Sequence, residues 1–185
     1  LQREVGLQNR LERERARVQH HMAKAENVEF WRDYLEHFHY IANVADFWQL
    51  LDHIYRLAGT FEKGARILDA GCGNGNFGMF LLINQAYRQR NAFASAPETL
   101  RYVGVDFVRA ALLQAQHSLA NATDELCKKL VPTLVPQPLV TASVSLADLN
   151  MPLPFRDNQF DRIVSNLVIG YLQDPLFTLR ELLRV

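Results

Sequence analysis

Apolar residues recur at two different periods along this chain, and the change of period divides it. Between 28 and 58 they return every three or four positions. Phe30, Trp31, Tyr34, Leu35, Phe38, Ile41 and Ala42 make one such series, and Val44, Phe47, Trp48, Leu51, Ile54, Tyr55 and Ala58 make the next. That spacing predicts two amphipathic helices with broad apolar faces, closed by Gly59. After Gly64 short apolar runs alternate with helical stretches. Ala65–Leu68 reads as a strand, residues 77–84 as a helix, Leu100–Val105 as a strand and Val108–Ala120 as a helix. Val140–Leu146 and Phe160–Asn166 read as further strands, and Pro175–Arg184 as a helix. Strands alternating with helices predict a layered α/β domain around a parallel sheet.

The first 26 residues differ from both regions. Six basic and four acidic side chains interleave there with sparse apolar ones. A helix with a narrow apolar stripe fits (Leu7 and Leu11, Val18 and Met22 at i,i+4). Its mixed charge reads as a solvated arm or a helix that packs on a partner, including a second copy of the chain. His20-His21 and His37-x-His39 do not share a helix face, so no metal site is expected of them.

Composition narrows the classes. Lys+Arg and Asp+Glu both number 20, so bulk charge does not drive nucleic-acid binding. Two cysteines, Cys72 and Cys127, suit a reducing compartment and make no disulfide scaffold. No apolar run approaches membrane-spanning length. A cytoplasmic protein is the expectation.

The chemistry concentrates at Asp69-Ala70-Gly71-Cys72-Gly73-Asn74-Gly75, where a strand meets a glycine-rich turn and then a helix. Parallel sheets bind ligands at such carboxyl ends. Gly73-x-Gly75-x-x-Gly78 fits a dinucleotide pattern, so a nicotinamide-dependent oxidoreductase is one reading. Three features favour another. A carboxylate at Asp69 repels a pyrophosphate and attracts an ammonium group. No Lys-Ser/Thr follows the glycines, as a phosphate loop requires. Asp106 closes the second strand, where an acid accepts from ribose hydroxyls. It lies 37 residues beyond Asp69, so residues 88–99 read as an insertion.

Residues 67–75 and 102–106 resemble the first and second motifs of class I S-adenosylmethionine-dependent methyltransferases. Ala147-Asp148-Leu149, with 151–161, resembles the adenine loop and fourth strand of the branch that methylates small molecules. Residues 181–185 resemble the helix leading to the fifth strand. The resemblance covers about residues 60–185. It implies a Rossmann-like sheet with flanking helices, S-adenosyl-L-methionine as cofactor and a small-molecule acceptor. It also implies roles. Asp69, with the backbone at Ala70, Gly71, Cys72 and Gly73, holds the methionine portion. Asp106 binds the ribose and Phe107 packs on the adenine. Asp148 and the N–H of Leu149 meet the adenine edge, and Asn166 faces the transferring methyl. Asp148 also reads as a turn cap, Cys72 as a small packing residue and Asp161 as a turn former. Trp31, Tyr34, Tyr40 and Tyr171 are candidates for the acceptor side. Methyl transfer needs positioning more than a base, so no catalytic residue is assigned.

The expected organisation is an N-terminal helical extension over 1–60 and a cofactor-binding domain over 61–185. The family's sheet has seven strands and four are readable. The remaining strands are therefore expected to lie beyond Val185, leaving an open edge beside the fourth. A non-catalytic binding or scaffolding relative is the competing reading, favoured by the charged segment 1–26.

Overall fold

The computed structural model describes residues 28–38, 45–58, 64–91, 99–130 and 140–185. The expected helix over 1–26, the stop at Gly59, most of the 88–99 stretch and the loop before β3 lie outside those residues. So do the His20-His21 and His37-x-His39 side chains, along with Tyr40 and the Cys127 side chain.

Helices α1 (Val28–Phe38) and α2 (Ala45–Leu57) come first. Then follow β1 (Arg66–Ala70), α3 (Asn76–Asn91), β2 (Leu100–Asp106) and α4 (Arg109–Leu130). The chain continues through β3 (Val140–Leu146), β4 (Arg162–Val164), a 3-10 turn at Ile169–Tyr171 and α5 (Pro175–Arg184). All strands run parallel, in the order β3-β2-β1-β4. The chain moves outward from β1 to β3 on one side and then returns to place β4 on the other. That reversal sets a topological switch point at the carboxyl end of β1. This is a Rossmann-like sheet with flanking helices.

Alternate residues of each strand feed opposite faces. Ile67, Leu100, Tyr102, Val140 and Val164 join a core with α2 (Phe47, Leu51), α3 (Phe77, Phe80, Leu81) and α4 (Leu119). Leu68, Ala70 and Val105 join Leu149, Leu153, Leu172, Leu182 and Val185 on the other face. So α2, expected in the N-terminal extension, packs into the same core as the sheet.

Some elements differ from the sequence reading. Helix α4 runs ten residues past Ala120, to Leu130. Helix α3 reaches Asn91, taking in the start of the polar stretch read as an insertion. On α3 Leu82 and Ala86 are buried and Ile83 is exposed. β4 spans only Arg162–Val164, shorter than Phe160–Asn166. Before it, the Asn158 and Phe160 N–H groups donate to the Arg184 and Val185 carbonyls. After it, the Ser165 hydroxyl donates to the Ala70 carbonyl at 3.0 Å. Asp161 shapes the turn into β4, as the sequence suggested. Its carboxylate accepts from the Arg66 backbone N–H at 2.8 Å and pairs with the Arg66 guanidinium. These contacts hold it down to a pKa of about 2. α5 matches its predicted span. Pro175 occupies its first turn, and the Asp174 carboxylate caps the N–H groups of Leu176 and Phe177.

Candidate functional site

The glycine turn after β1 is held shut by its own backbone. The N–H groups of Gly71 and Cys72 both donate to the Val105 carbonyl, at 2.8 and 2.9 Å. The Gly75 N–H donates to the Cys72 carbonyl. The Gly73 N–H donates to Asp106 Oδ2 at 2.9 Å. Four N–H groups that a phosphate cradle would present outward are therefore spent inside the protein. Gly71, at φ 81, has no room for a side chain, because its Cβ would run into Val168.

Above this turn lies a cavity of about 790 Å³. It opens over the carboxyl ends of β1 and β2, at the switch point. Its size falls within the range of small-ligand sites, about 300–1,000 Å³. Nine of the ten expected cofactor residues line it: Asp69, Gly71, Cys72, Gly73, Asp106, Phe107, Asp148, Leu149 and Asn166. Ala70 does not line it. Strand alternation turns its side chain into the opposite core, where it is fully buried, and its carbonyl takes the Ser165 hydroxyl.

Asp69 is almost wholly buried. The Tyr102 hydroxyl donates to its Oδ2 at 2.8 Å, reaching across from β2. Gly104 makes that reach possible, since a Cβ there would meet Cys72 Sγ at 2.8 Å and the Tyr102 oxygen at 3.0 Å. Burial pushes the Asp69 carboxyl up to about 7; the Tyr102 bond opposes this and the Asp106 charge adds to it. Gly104→Ala is expected to push the tyrosine off Asp69 and to lower the unfolding midpoint. The cost is about 1–3 kcal/mol from overpacking and a lost buried bond, measurable by thermal melting.

Asp106 has a structural task besides the one expected of it. Oδ2 holds Gly73 and Oδ1 accepts from the Val108 N–H at 2.9 Å. Burial raises its pKa, against the pull of these bonds. Asp148 is exposed, and its Oδ1 accepts from the backbone and side-chain nitrogens of Asn150, both at 2.9 Å. The turn-cap reading and the cavity position thus coexist at Asp148. The Leu149 carbonyl accepts from the Thr178 hydroxyl, tying this loop to α5. The Cys72 thiol is pushed well up by burial and by the charges of Asp69 and Asp106, so it stays neutral and packs.

The opposite wall comes from α1 and the 3-10 turn. Trp31 meets Tyr171 edge-on, with centroids 4.7 Å apart, and Tyr34 packs on Trp31 at 5.4 Å. Burial and the nearby Tyr171 raise the Tyr34 pKa, keeping its phenol protonated. Leu167, at φ 60, turns the chain after β4 in a left-handed conformation unusual for leucine. This turn brings Asn166 to the cavity and Val168 onto Gly71. Sequence reasoning missed three residues here. Val168 and Leu167 had no local signal, and Asn74 was passed over as part of the glycine turn. The Asn74 amide Nδ2 donates to the Leu35 carbonyl of α1 at 2.8 Å. Its Oδ1 is buried with no partner among the described residues.

Comparison with solved structures finds the same fold at low identity. A Methanococcus maripaludis protein described as an S-adenosyl-L-methionine-dependent methyltransferase is similar at 16% identity and a TM-score of 0.56, covering 85% of this chain and 58% of that one. A Haloferax volcanii methyltransferase, solved with the Trm112 activator, gives 18% identity and a TM-score of 0.53, covering 83% of this chain and 53% of its own. The YcgJ protein of Bacillus subtilis gives 19% and 0.51, covering 73% of this chain and 44% of its own. The chain thus spans 44–58% of the length of these three structures. Comparison with curated proteins gives no match. Residues 40–185 match the methyltransferase domain family, a match that begins within the N-terminal helical region and takes in the whole sheet. The chain belongs to the methyltransferase domain family.

Proposed function

We propose that the cavity binds S-adenosyl-L-methionine and presents its methyl group to a small-molecule acceptor seated against α1 and the 3-10 turn. The observation that carries this reading is the direction of the turn's hydrogen bonds. With the N–H groups of Gly71, Cys72, Gly73 and Gly75 spent, the turn is a poor host for phosphate. Its buried carboxylates, Asp69 and Asp106, suit an ammonium and hydroxyl groups instead. Bound there, the cofactor supplies an electrophilic methyl on a sulfonium sulfur.

The residues present fit such a group. Asp69 faces its ammonium, with Tyr102 fixing the carboxylate. Asp106 accepts from ribose hydroxyls through lone pairs left over from its backbone bonds. Contacts from the glycines themselves run through carbonyl oxygens, because their N–H groups are committed. Phe107 and Leu149 supply apolar surface for a base, and Asp148 a polar edge. Asn166 lies where β4 meets the cavity, towards the acceptor. Trp31, Tyr34 and Tyr171 form an aromatic wall that holds an acceptor and excludes water. A cytoplasmic setting and a small-molecule acceptor belong to the same reading.

Titration with S-adenosylhomocysteine and, separately, with NAD tests it. The expected result is binding of the homocysteine analogue and none of NAD. NAD binding without analogue binding overturns it in favour of an oxidoreductase.

The pH dependence follows from Asp69. In the unfolded chain an aspartate titrates near about 4; folded, this one titrates at about 7. Between those values the folded state holds the extra proton, so this group's contribution to stability falls as pH rises and is lowest above 7. The raised Asp106 pushes in the same direction. A ligand ammonium favours the ionised form. Affinity for S-adenosylhomocysteine is therefore expected to rise up to about tenfold from pH 6 to pH 8. Asp69→Asn should flatten that rise, and a wild-type profile flat over the same range would contradict the ammonium assignment.

A further inference from the structure

Asn74 joins the two walls of the cavity. It sits in the glycine turn, on the proposed donor side, and is only 6% exposed. Its Nδ2 reaches out of the turn to the Leu35 carbonyl, near the end of α1. Leu35 closes on the turn as well, its Cδ2 lying 3.1 Å from where a Cβ on Gly73 would stand. One turn earlier on α1, Trp31 meets Tyr171. The aromatic wall therefore rests on the turn at two points, and Asn74 supplies the polar one.

The other half of the amide is unsatisfied. Oδ1 is sealed from water and has no partner among the described residues. A buried acceptor without a donor opposes the arrangement that buries it. The contact of α1 with the turn therefore gains one hydrogen bond through Nδ2 beside an unsatisfied Oδ1, so its polar part adds little net hold on α1. A ligand that fills the cavity touches both walls and shifts the balance towards docking.

We propose that Asn74 is a positioning residue that couples occupancy of the donor site to the placement of the aromatic wall against which the acceptor binds. This rests on the reading of the cavity as a donor site. Coupling of this kind is reciprocal: a donor that docks α1 assists the acceptor, and an acceptor on α1 assists the donor.

Amide hydrogen exchange, read over residues 28–38, tests the coupling, with calorimetry reporting binding on the same samples. S-adenosylhomocysteine is the probe. In the wild type it should slow exchange of α1 about tenfold or more. Asn74→Asp keeps the shape but replaces the donor with an acceptor facing the Leu35 carbonyl. In the empty variant α1 should exchange faster, while the β1 and β2 amides stay as in the wild type. With the probe at saturating concentration its extra protection of α1 should be lost, and by reciprocity its affinity should fall by about the same tenfold factor. Asn74→Ala repeats the measurement should the first variant not fold. A purely structural role would weaken strands and helix alike. Unchanged exchange of α1 in the empty variants overturns the proposal, as does binding heat in the wild type with no change over 28–38. Absence of binding heat overturns the donor-site reading and this coupling with it, which separates the two failures.

Discussion

Gly71→Ala is expected to abolish binding of S-adenosylhomocysteine, with affinity falling at least about a hundredfold. Two effects combine at this position. The backbone holds φ 81, where an L side chain is strained. The added methyl would also occupy the space of Val168. Val168 is held by the left-handed turn at Leu167 and by the 3-10 turn that follows, whose Tyr171 N–H donates to the Val168 carbonyl. Neither side yields easily, so the clash moves the glycine turn away from the cavity. Stability should fall by about 2–4 kcal/mol from strain and overpacking together. Titration at a temperature where the variant is still folded separates the two losses. Affinity near wild type would show that the turn does not shape the ligand site.

Asp106→Ala carries the second large effect. The carboxylate accepts from Gly73 on one oxygen and Val108 on the other. Removing it orphans two buried N–H groups, at about 1–3 kcal/mol each. Relief of a buried charge offsets part of this, leaving a net loss of about 2 kcal/mol. The ligand loses its proposed ribose acceptor at the same time. Affinity for S-adenosylhomocysteine should drop about a hundredfold or more, beyond what the stability change explains, because two charge-assisted bonds disappear. Calorimetry and a melting curve on one preparation check both quantities. Unchanged affinity in a folded variant would remove Asp106 from the ligand site and leave it only its structural task.

Elements whose signals are local were legible in the sequence. β3 spans Val140–Leu146 and α5 spans Pro175–Arg184, both as their patterns predict. A strand that alternates Val, Ala, Val and Leu with Thr and Ser, and a helix with Pro175 in its first turn, announce themselves in a few residues. Ending α4 at Ala120 stops it short, since Ala122, Leu126 and Leu130 continue the three-and-four spacing of Leu119. Asp124 and Glu125 also stand four positions before Lys128 and Lys129, a spacing that supports helix. Pro132 follows closely, and the residue before a proline disfavours helix. The span Phe160–Asn166 is too long for β4 because the signal of Phe160, Ile163 and Val164 carries its polar flanks with it, whereas ladder partners decide a strand's length. Only Arg162–Val164 pair with β1.

At the site, most residues that line the cavity were legible and their hydrogen-bond commitments were not. The sequence marks Asp69, the glycines and Asp106 as a binding constellation. It does not show that the turn's N–H groups are spent on Val105, Cys72 and Asp106. Nor does it show that Tyr102 crosses from β2 to hold Asp69. All of those bonds except Gly75 to Cys72 join residues more than thirty positions apart (Gly73 to Asp106, Tyr102 to Asp69). The partnership of Asn74 with Leu35 spans 39 positions and has no local pattern at all.

A map of backbone amide shifts, followed as S-adenosylhomocysteine is added to isotope-labelled protein, tests the placement of the ligand most directly. A ligand in this cavity should give saturable changes at the glycine turn (71–76), after β2 (106–108), in the loop after β3 (148–150) and on α1 (28–38). The outer face of α5 should stay silent. Shifts confined to other surfaces, with the glycine turn unmoved, would contradict the placement of the ligand in this cavity.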